Sequence, residues 1–306
     1  MQEIRELTVI SGKGGTGKTS IVASFAALAK NPGLSDCDVD APDLHIVLKP
    51  EIKKQEPFIG GKKARIIKEK CNGCNKCLEV CRFDAVIRST DDTGSEYIYW
   101  IDPIACEGCG VCAYFCPEQA VEYKESINGD LYISEMRFGP MVHARLHAAE
   151  ENSGKLVTLV RNNSRETSKN TDIQIIINDG APGIGCPVIA SITGTTMLLI
   201  VTEPSLSGYH DLLRVADLCK YFKIPAMICI NKYDLNLDIV SQIESWCIEN
   251  QLPIVGKIPY DPEVTAAQIA GLSCVEYSNG AASQAISCMW NLISTEAKNN
   301  VPSVDG

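Results

Sequence analysis

Three observations predict an α/β fold: a mostly parallel sheet flanked by helices, with a smaller α+β domain inserted in it. Short continuous apolar runs alternate with helical patterns along the chain, as strands buried on both faces of a parallel sheet do. A glycine-rich segment, SGKGGTGKTS (11–20), joins the first apolar run to the first helical pattern. Between residues 62 and 125 the alternation stops, and eight cysteines stand in two evenly spaced quartets.

The elements follow in order. Residues 7–10 form a buried strand by length and β-branching. A helix is expected over 18–30, with Ile21, Val22, Phe25, Leu28 and Ala29 on one face. Asn31, Pro32 and Gly33 end it. The next strand, NPGLSD (31–36), reads as short or irregular. Later strands are expected at LVTLV (156–160), IQIIIN (173–178), TMLLIVT (196–202), PAMICIN (225–231) and PIVGKI (253–258). Helices are expected over 208–222 and 237–251. His143 and His147, four apart, read as surface residues on one helix face. The chain thus divides into 1–61, an insert at 62–125, and 126–306.

Composition narrows the function. A chain of 306 residues accommodates one large domain and a small one. Its 28 basic and 38 acidic residues give a net charge of −10, which argues against a nucleic-acid partner. No apolar run reaches the ~18 residues of a membrane span. MQEIRELTVI (1–10) lacks the apolar core of a signal peptide. The expected location is therefore cytoplasmic, where clustered thiols bind metal rather than form disulfides. Of the fifteen cysteines, seven stand singly. Cys37, Cys219, Cys229, Cys247, Cys274 and Cys288 sit in apolar patterns and read as core. Cys186 also reads as a small core residue, with cluster ligation and a redox thiol as its alternatives.

GKGGTGKT (12–19) matches G-x-x-x-x-G-K-[ST] between a strand and a helix, the context this phosphate loop requires. Glycines let backbone amides crowd around phosphate oxygens, and the helix N-terminus adds its dipole. Gly12, Gly14, Gly15, Thr16, Gly17, Lys18, Thr19 and Ser20 form the candidate ATP site. Lys18 should reach the β- and γ-phosphates and Thr19 should ligate Mg²⁺.

Lys13, just before the double glycine, makes the loop a deviant Walker A pattern, K-G-G-x-G-K-[ST]. With it the chain resembles the MinD/Mrp/nitrogenase-iron-protein superfamily of dimeric P-loop ATPases. That resemblance implies that Lys13 crosses to the partner's nucleotide. DCDVDAPDLH (36–45) looks like the family's switch I, which makes Asp38 the acid that positions water and Mg²⁺, with Asp36 and Asp40 as rivals. NDGAPGIGCP (178–187) looks like switch II, in which Asp179 holds Mg²⁺ through water and the Gly183 amide senses the γ-phosphate. INKYD (230–234) places Asn231 as the adenine reader. IPYDPEV (258–264) resembles the second adenine-side loop, with Pro259 and Asp261.

The quartets Cys71, Cys74, Cys77, Cys81 and Cys106, Cys109, Cys112, Cys116 each read C-x2-C-x2-C-x3-C and repeat at 35 positions. Three thiolates at this spacing wrap one corner of a cubane, and the fourth ligates the other cluster. One [4Fe–4S] cluster then takes Cys71, Cys74, Cys77 and Cys116, the second Cys106, Cys109, Cys112 and Cys81. Zinc sites pair C-x2-C units farther apart. The stretch resembles bacterial two-cluster ferredoxins over about 60 residues. It departs from them at Arg82, where the proline seen at Pro117 is missing. Eight thiolates around two cores of about +2 bring the charge to roughly −14, which suits a partner with a basic patch.

The resemblance covers residues 6–280. It implies an ATP-binding and ATP-hydrolysing dimer, either of identical chains or with a paralogue. Nucleotide state would gate electron transfer through the two clusters to a redox partner. The alternative is assembly or carriage of an iron–sulfur or metal cofactor, as in the Mrp branch. KYDLNLDIVSQI (232–243) lacks the cysteine pair that branch carries. A membrane-docked positioning protein would need a basic C-terminal helix, but residues 285–306 hold one lysine and no arginine.

Overall fold

The computed structural model describes residues 4–90, 97–169 and 171–299. Its strands are β1 (Arg5–Ser11), β2 (Gly33–Asp36), β3 (Glu51–Ile66), β4 (Val86–Thr90), β5 (Tyr97–Ile101), β6 (Val121–Met136), β7 (Gly139–Leu146), β8 (Ile175–Pro182), β9 (Met197–Thr202), β10 (Ala226–Asn231) and β11 (Ile254–Ile258). Nine form one sheet in the order β11-β10-β9-β1-β8-β2-β7-β6-β3, and β4 pairs with β5 separately. From β11 to β7 every neighbouring pair is parallel. The β4–β5 pair is antiparallel. Among the described residues no helix is long and apolar enough to cross a membrane.

Alternation along the central strands builds two cores. Met197, Leu199 and Val201 of β9 pack with Phe25, Ile286 and Trp290 on one face. Leu198 and Ile200 pack with Leu212, Val215, Ile239 and Ile243 on the other. β9 is therefore apolar from Met197 to Val201. β2 is short, as NPGLSD suggests, and all four of its residues are buried.

One expected strand is a helix. LVTLV (156–160) lies in the helix Ser153–Ser168, whose buried residues are Leu156, Val157, Val160, Arg161, Ser164 and Ser168. That spacing follows a helical face, and four apolar letters around a threonine could not reveal it. Arg161 is buried because β1 supplies its counter-charge. Glu6, itself buried, pairs with both Arg161 and Arg165. Burial would raise the Glu6 pKa, but the two arginines outweigh it and hold the carboxyl below its ordinary value. Asn178 donates to Thr8 Oγ1 (2.9 Å), which lies 2.8 Å from Thr195 Oγ1. Removing Glu6 strands a guanidinium that is 3% exposed. Glu6→Ala should therefore cost about 3–5 kcal/mol, read as a lower urea midpoint by circular dichroism. A loss below about 1 kcal/mol, the range of an exposed pair, would reject this account.

The histidines do not share a helix. His143 lies in β7, buried, 4.9 Å from the Tyr132 ring and 6.0 Å from that of His45. Its Nε2 is 2.9 Å from Ser134 Oγ. Burial, with His45 adding its charge, pushes its pKa down to about 4. His147 instead pairs with Asp130 at 2.8 Å. The two residues are separated where β7 ends at Leu146.

The chain separates into two compact units. The first comprises residues 1–56, 131–145 and 153–306, and the second 57–130 with 146–152. The second is wider than the cysteine repeat suggests, because the long strands β3 and β6 extend beyond it. One buried cluster in it consists of Ala64, Cys77, Ala85, Val86 and Ile101. A cluster this small, three of its five members alanine or cysteine, suits a unit held together by a metal framework.

Candidate nucleotide site and cysteine centres

The glycine-rich loop leaves β1 at the carboxyl edge of the sheet, where open parallel sheets bind ligands. Gly15 and Gly17 have φ of 78° and 89°, values that suit a residue without a Cβ. A Cβ on Gly17 would also come within 2.3 Å of Asn231 Nδ2. Asn231 Nδ2 donates to the Thr16 carbonyl at 2.7 Å. The residue read as the adenine reader thus braces the loop, a tie between residues 215 positions apart that no local pattern announces. Gly14 and Gly15 are exposed, Gly12 and Thr19 half-buried. Ser20 is buried, and its Oγ accepts from Gln268 Nε2 at 2.8 Å.

Lys18 and Asp179 form a buried ion pair. Burial would lower the Lys18 pKa, but Asp179, with Asp36 and Asp38 behind it, outweighs that and raises it. The remaining Asp179 oxygen, Oδ2, and Thr16 Oγ1 are buried with no hydrogen-bond partner among the described residues. Orphaned buried polar atoms are costly, and a ligand in the loop would give these two atoms partners.

The three acids after β2 differ. Asp36 is fully buried, and its two oxygens accept from the backbone of Asp38 (3.1 Å) and Leu44 (3.2 Å). It organises the loop. Asp40 is exposed. Asp38 is half-buried, and burial, with Asp179 and Asp40 adding charge against Lys18, pushes its pKa up to about 6. The Gly183 amide, expected to be free for phosphate, donates to the Ser11 carbonyl at 2.9 Å. Asp261 caps the helix Pro262–Ala270, accepting from Glu263 N (3.0 Å) and Ala282 N (3.3 Å), so its carboxylate is engaged. Pro259 lies half-buried beyond β11.

Two cysteines read as core are not. Cys186 is exposed. It opens the helix Cys186–Ile192, whose buried residues Val188, Ser191 and Ile192 turn it outward. Cys288 is exposed too, between the buried Ile286 and Met289. Cys37, Cys219, Cys229, Cys247 and Cys274 are buried.

In the second unit one cavity is lined by Cys71, Cys74 and Cys77 of the first quartet together with Cys116 of the second. Cys116 Sγ accepts from the Ala120 amide at 3.3 Å. Cys81, Cys106 and Cys112 each pack against the small buried cluster, and Cys109 is exposed. The helices Lys76–Val80 and Val111–Phe115, each preceding a fourth cysteine, pack against one another. The repeat extends to backbone conformation. The left-handed residues Gly73, Asn75 and Asp84 recur 35 positions on as Gly108, Gly110 and Gln119. Burial pushes the Cys77 thiol up, and pushes Cys112 up to about 11 with Cys106 and Cys109 adding charge, so ligation must displace protons. Among the described residues no three His, Cys, Asp or Glu side chains are placed to hold a single metal ion. A cubane, being larger, takes thiolates standing farther apart.

This geometry defines a nucleotide-binding α/β domain carrying a ferredoxin-like segment. The chain belongs to the CobQ/CobB/MinD/ParA nucleotide-binding domain family, whose model matches residues 7–274. It is 32% identical over 236 residues to an uncharacterized protein of Methanocaldococcus jannaschii, covering 76% of this chain and 80% of the relative. Over 57 residues it is 37% identical to an uncharacterized ferredoxin of the same organism, covering 19% of this chain and 71% of the relative. Its fold is similar to that of the septum site-determining protein MinD of Pyrococcus horikoshii, solved with Mg-ADP. The TM-score is 0.60 at 15% identity, covering 98% of this chain and 100% of that one.

Proposed function

We propose that this chain is an ATP-hydrolysing subunit of a dimer in which nucleotide state gates electron transfer through two [4Fe–4S] clusters to a partner protein. The observation that carries the reading is the cavity lined by Cys71, Cys74, Cys77 and Cys116, a thiol set drawn from both quartets, in a chain of a nucleotide-binding family. Cys106, Cys109, Cys112 and Cys81 make the complementary set. When bound, the clusters supply one-electron carriers. The chain's residues supply the gate.

ATP phosphates enter the loop of Gly12, Gly14, Gly15, Thr16, Gly17, Lys18, Thr19 and Ser20. Lys18 exchanges Asp179 for the β- and γ-phosphates, which frees Asp179 to join Thr19 and Asp38 as the residues that would hold Mg²⁺. Thr16 Oγ1 gains the partner it lacks. The Gly183 amide exchanges the Ser11 carbonyl for a γ-phosphate oxygen, and Asp38 orients the attacking water. Lys13 reaches the nucleotide of a second chain. Asn231, Pro259 and Asp261 frame the adenine. Residues 36–48 then lead within little more than twenty positions to Cys71, so a nucleotide-fixed switch can bias the cluster unit through differential contacts.

Redox titration followed by electron paramagnetic resonance, with and without ATP, tests this. At least one cluster potential, or the rate of reduction by an external donor, should shift with ATP. ATP affinity should shift reciprocally with redox state, ~59 mV for each tenfold change. Potentials, reduction rates and ATP affinity that are mutually independent would refute gating.

A further inference from the structure

Glu203, which follows β9 at the carboxyl edge of the sheet, has no part in the reading above. Its Oε1 lies 2.7 Å from Lys13 Nζ. Lys13 Nζ also donates to Ser207 Oγ (2.8 Å) and Ser205 Oγ (3.2 Å), so the three donors of the ammonium have three acceptors within its own chain. Glu203 Oε2 lies 3.4 Å from Lys232 Nζ, and Lys232 donates to the Gly15 carbonyl at 3.1 Å. One carboxylate therefore ties both ends of the segment 13–15 to the residue after Asn231. Ser205 is fixed as the cap of the helix Leu206–Phe222, its Oγ accepting from Gly208 N at 3.0 Å. The phosphate loop also rests on that helix, since a Cβ on Gly12 would meet Asp211 Cβ at 2.3 Å. Two of the three acceptors of Lys13, Ser205 and Ser207, thus stand at the start of that helix, and Glu203 lies in the short connection that leads into it.

We infer that Glu203 is a positioning residue: it holds Lys13 in its own subunit and sets how readily Lys13 passes to the nucleotide of a second copy. This rests on the dimer reading proposed above. Lys13 is 31% exposed and Glu203 21% exposed, so the lysine keeps an open path to solvent. An ion pair at that exposure is a modest restraint. It is strong enough to keep the cation home in a lone subunit and weak enough to yield to a triphosphate. Burial would raise the Glu203 pKa, but Lys13 and Lys232 outweigh it and lower it, so the carboxylate is ionised at neutral pH. Each subunit of a symmetric dimer must open one such contact, and both contribute to the association equilibrium.

Glu203→Gln keeps the shape and removes the charge. Measured by sedimentation equilibrium on the full-length, anaerobically prepared protein with a non-hydrolysable ATP analogue, it should tighten the dimer on the order of tenfold, two modest ion pairs being released. Glu203→Asp, which retains the charge, should stay within about threefold of wild type. In a Lys13→Ala background Glu203→Gln should have no effect, because a double-mutant cycle removes what the two residues share. A Glu203→Gln dimer no tighter than wild type overturns the inference, as does a tightening that persists without Lys13. A wild-type chain that stays monomeric with the analogue fails at the dimer reading itself. A wild-type dimer that Glu203→Gln leaves unchanged defeats only the holding role.

Discussion

Lys13→Ala is expected to bind ATP with near-normal affinity and to lose about 10³-fold or more of its hydrolysis rate, the usual cost of a missing finger-type cation. The position of Lys13 explains the split. Its ammonium is bound to Glu203, Ser205 and Ser207, whereas Lys18 lies inside the loop against Asp179. Lys18→Ala should differ, losing nearly all turnover together with nucleotide affinity. It also leaves Asp179, 1% exposed, without its cation and close to Asp36 and Asp38, which makes the empty loop less stable. Steady-state phosphate release and ATP binding, measured for both variants, separate the two effects. Normal turnover in Lys13→Ala would reject the two-chain mechanism and leave a site that works within one subunit.

What was legible in the sequence was what is encoded locally. The left-handed Gly15 and Gly17 belong to a motif of eight residues, and the cysteine repeat carries its own spacing. Its recurrence in backbone angle, from Gly73 to Gly108 and from Asn75 to Gly110, follows from glycine and asparagine tolerating that region. Long-range ties were not legible. LVTLV (156–160) has strand-like letters, and only the pairing of Glu6 with Arg161 and Arg165 explains why one arginine, Arg161, lies on the buried face of its helix. Cys186 follows an apolar strand and two glycines, yet helix phase decides its exposure, and phase is fixed by where the helix starts. Asn231 stands where an adenine reader would, and nothing near it discloses the Thr16 carbonyl as its partner. Asp36 and Asp38 are indistinguishable as letters. Burial of the first and partial exposure of the second separate the loop organiser from the candidate catalytic acid.

The largest compositional effect expected is in metal. Anaerobically prepared protein should carry about eight iron and eight inorganic sulfide per chain. The informative variants cross the quartets. Cys71→Ser and Cys116→Ser, 45 positions apart in sequence, line one cavity, so each should perturb or remove the same paramagnetic signal and cost up to about half the iron. Cys81→Ser should instead affect the other signal, with Cys106, Cys109 and Cys112. Serine is close in volume but a poorer ligand for iron, so the change tests ligation more than packing. Stability should follow occupancy, because the cluster on which the ligand cysteines pack has only Ala64, Ala85, Val86 and Ile101 as buried members besides Cys77. Proteolysis of the cluster unit should therefore quicken in each variant as iron is lost. Stoichiometric zinc without sulfide would overturn the cubane assignment. A Cys116→Ser variant that spares the signal lost in Cys71→Ser would overturn the exchange of fourth ligands between the halves, whatever the total iron.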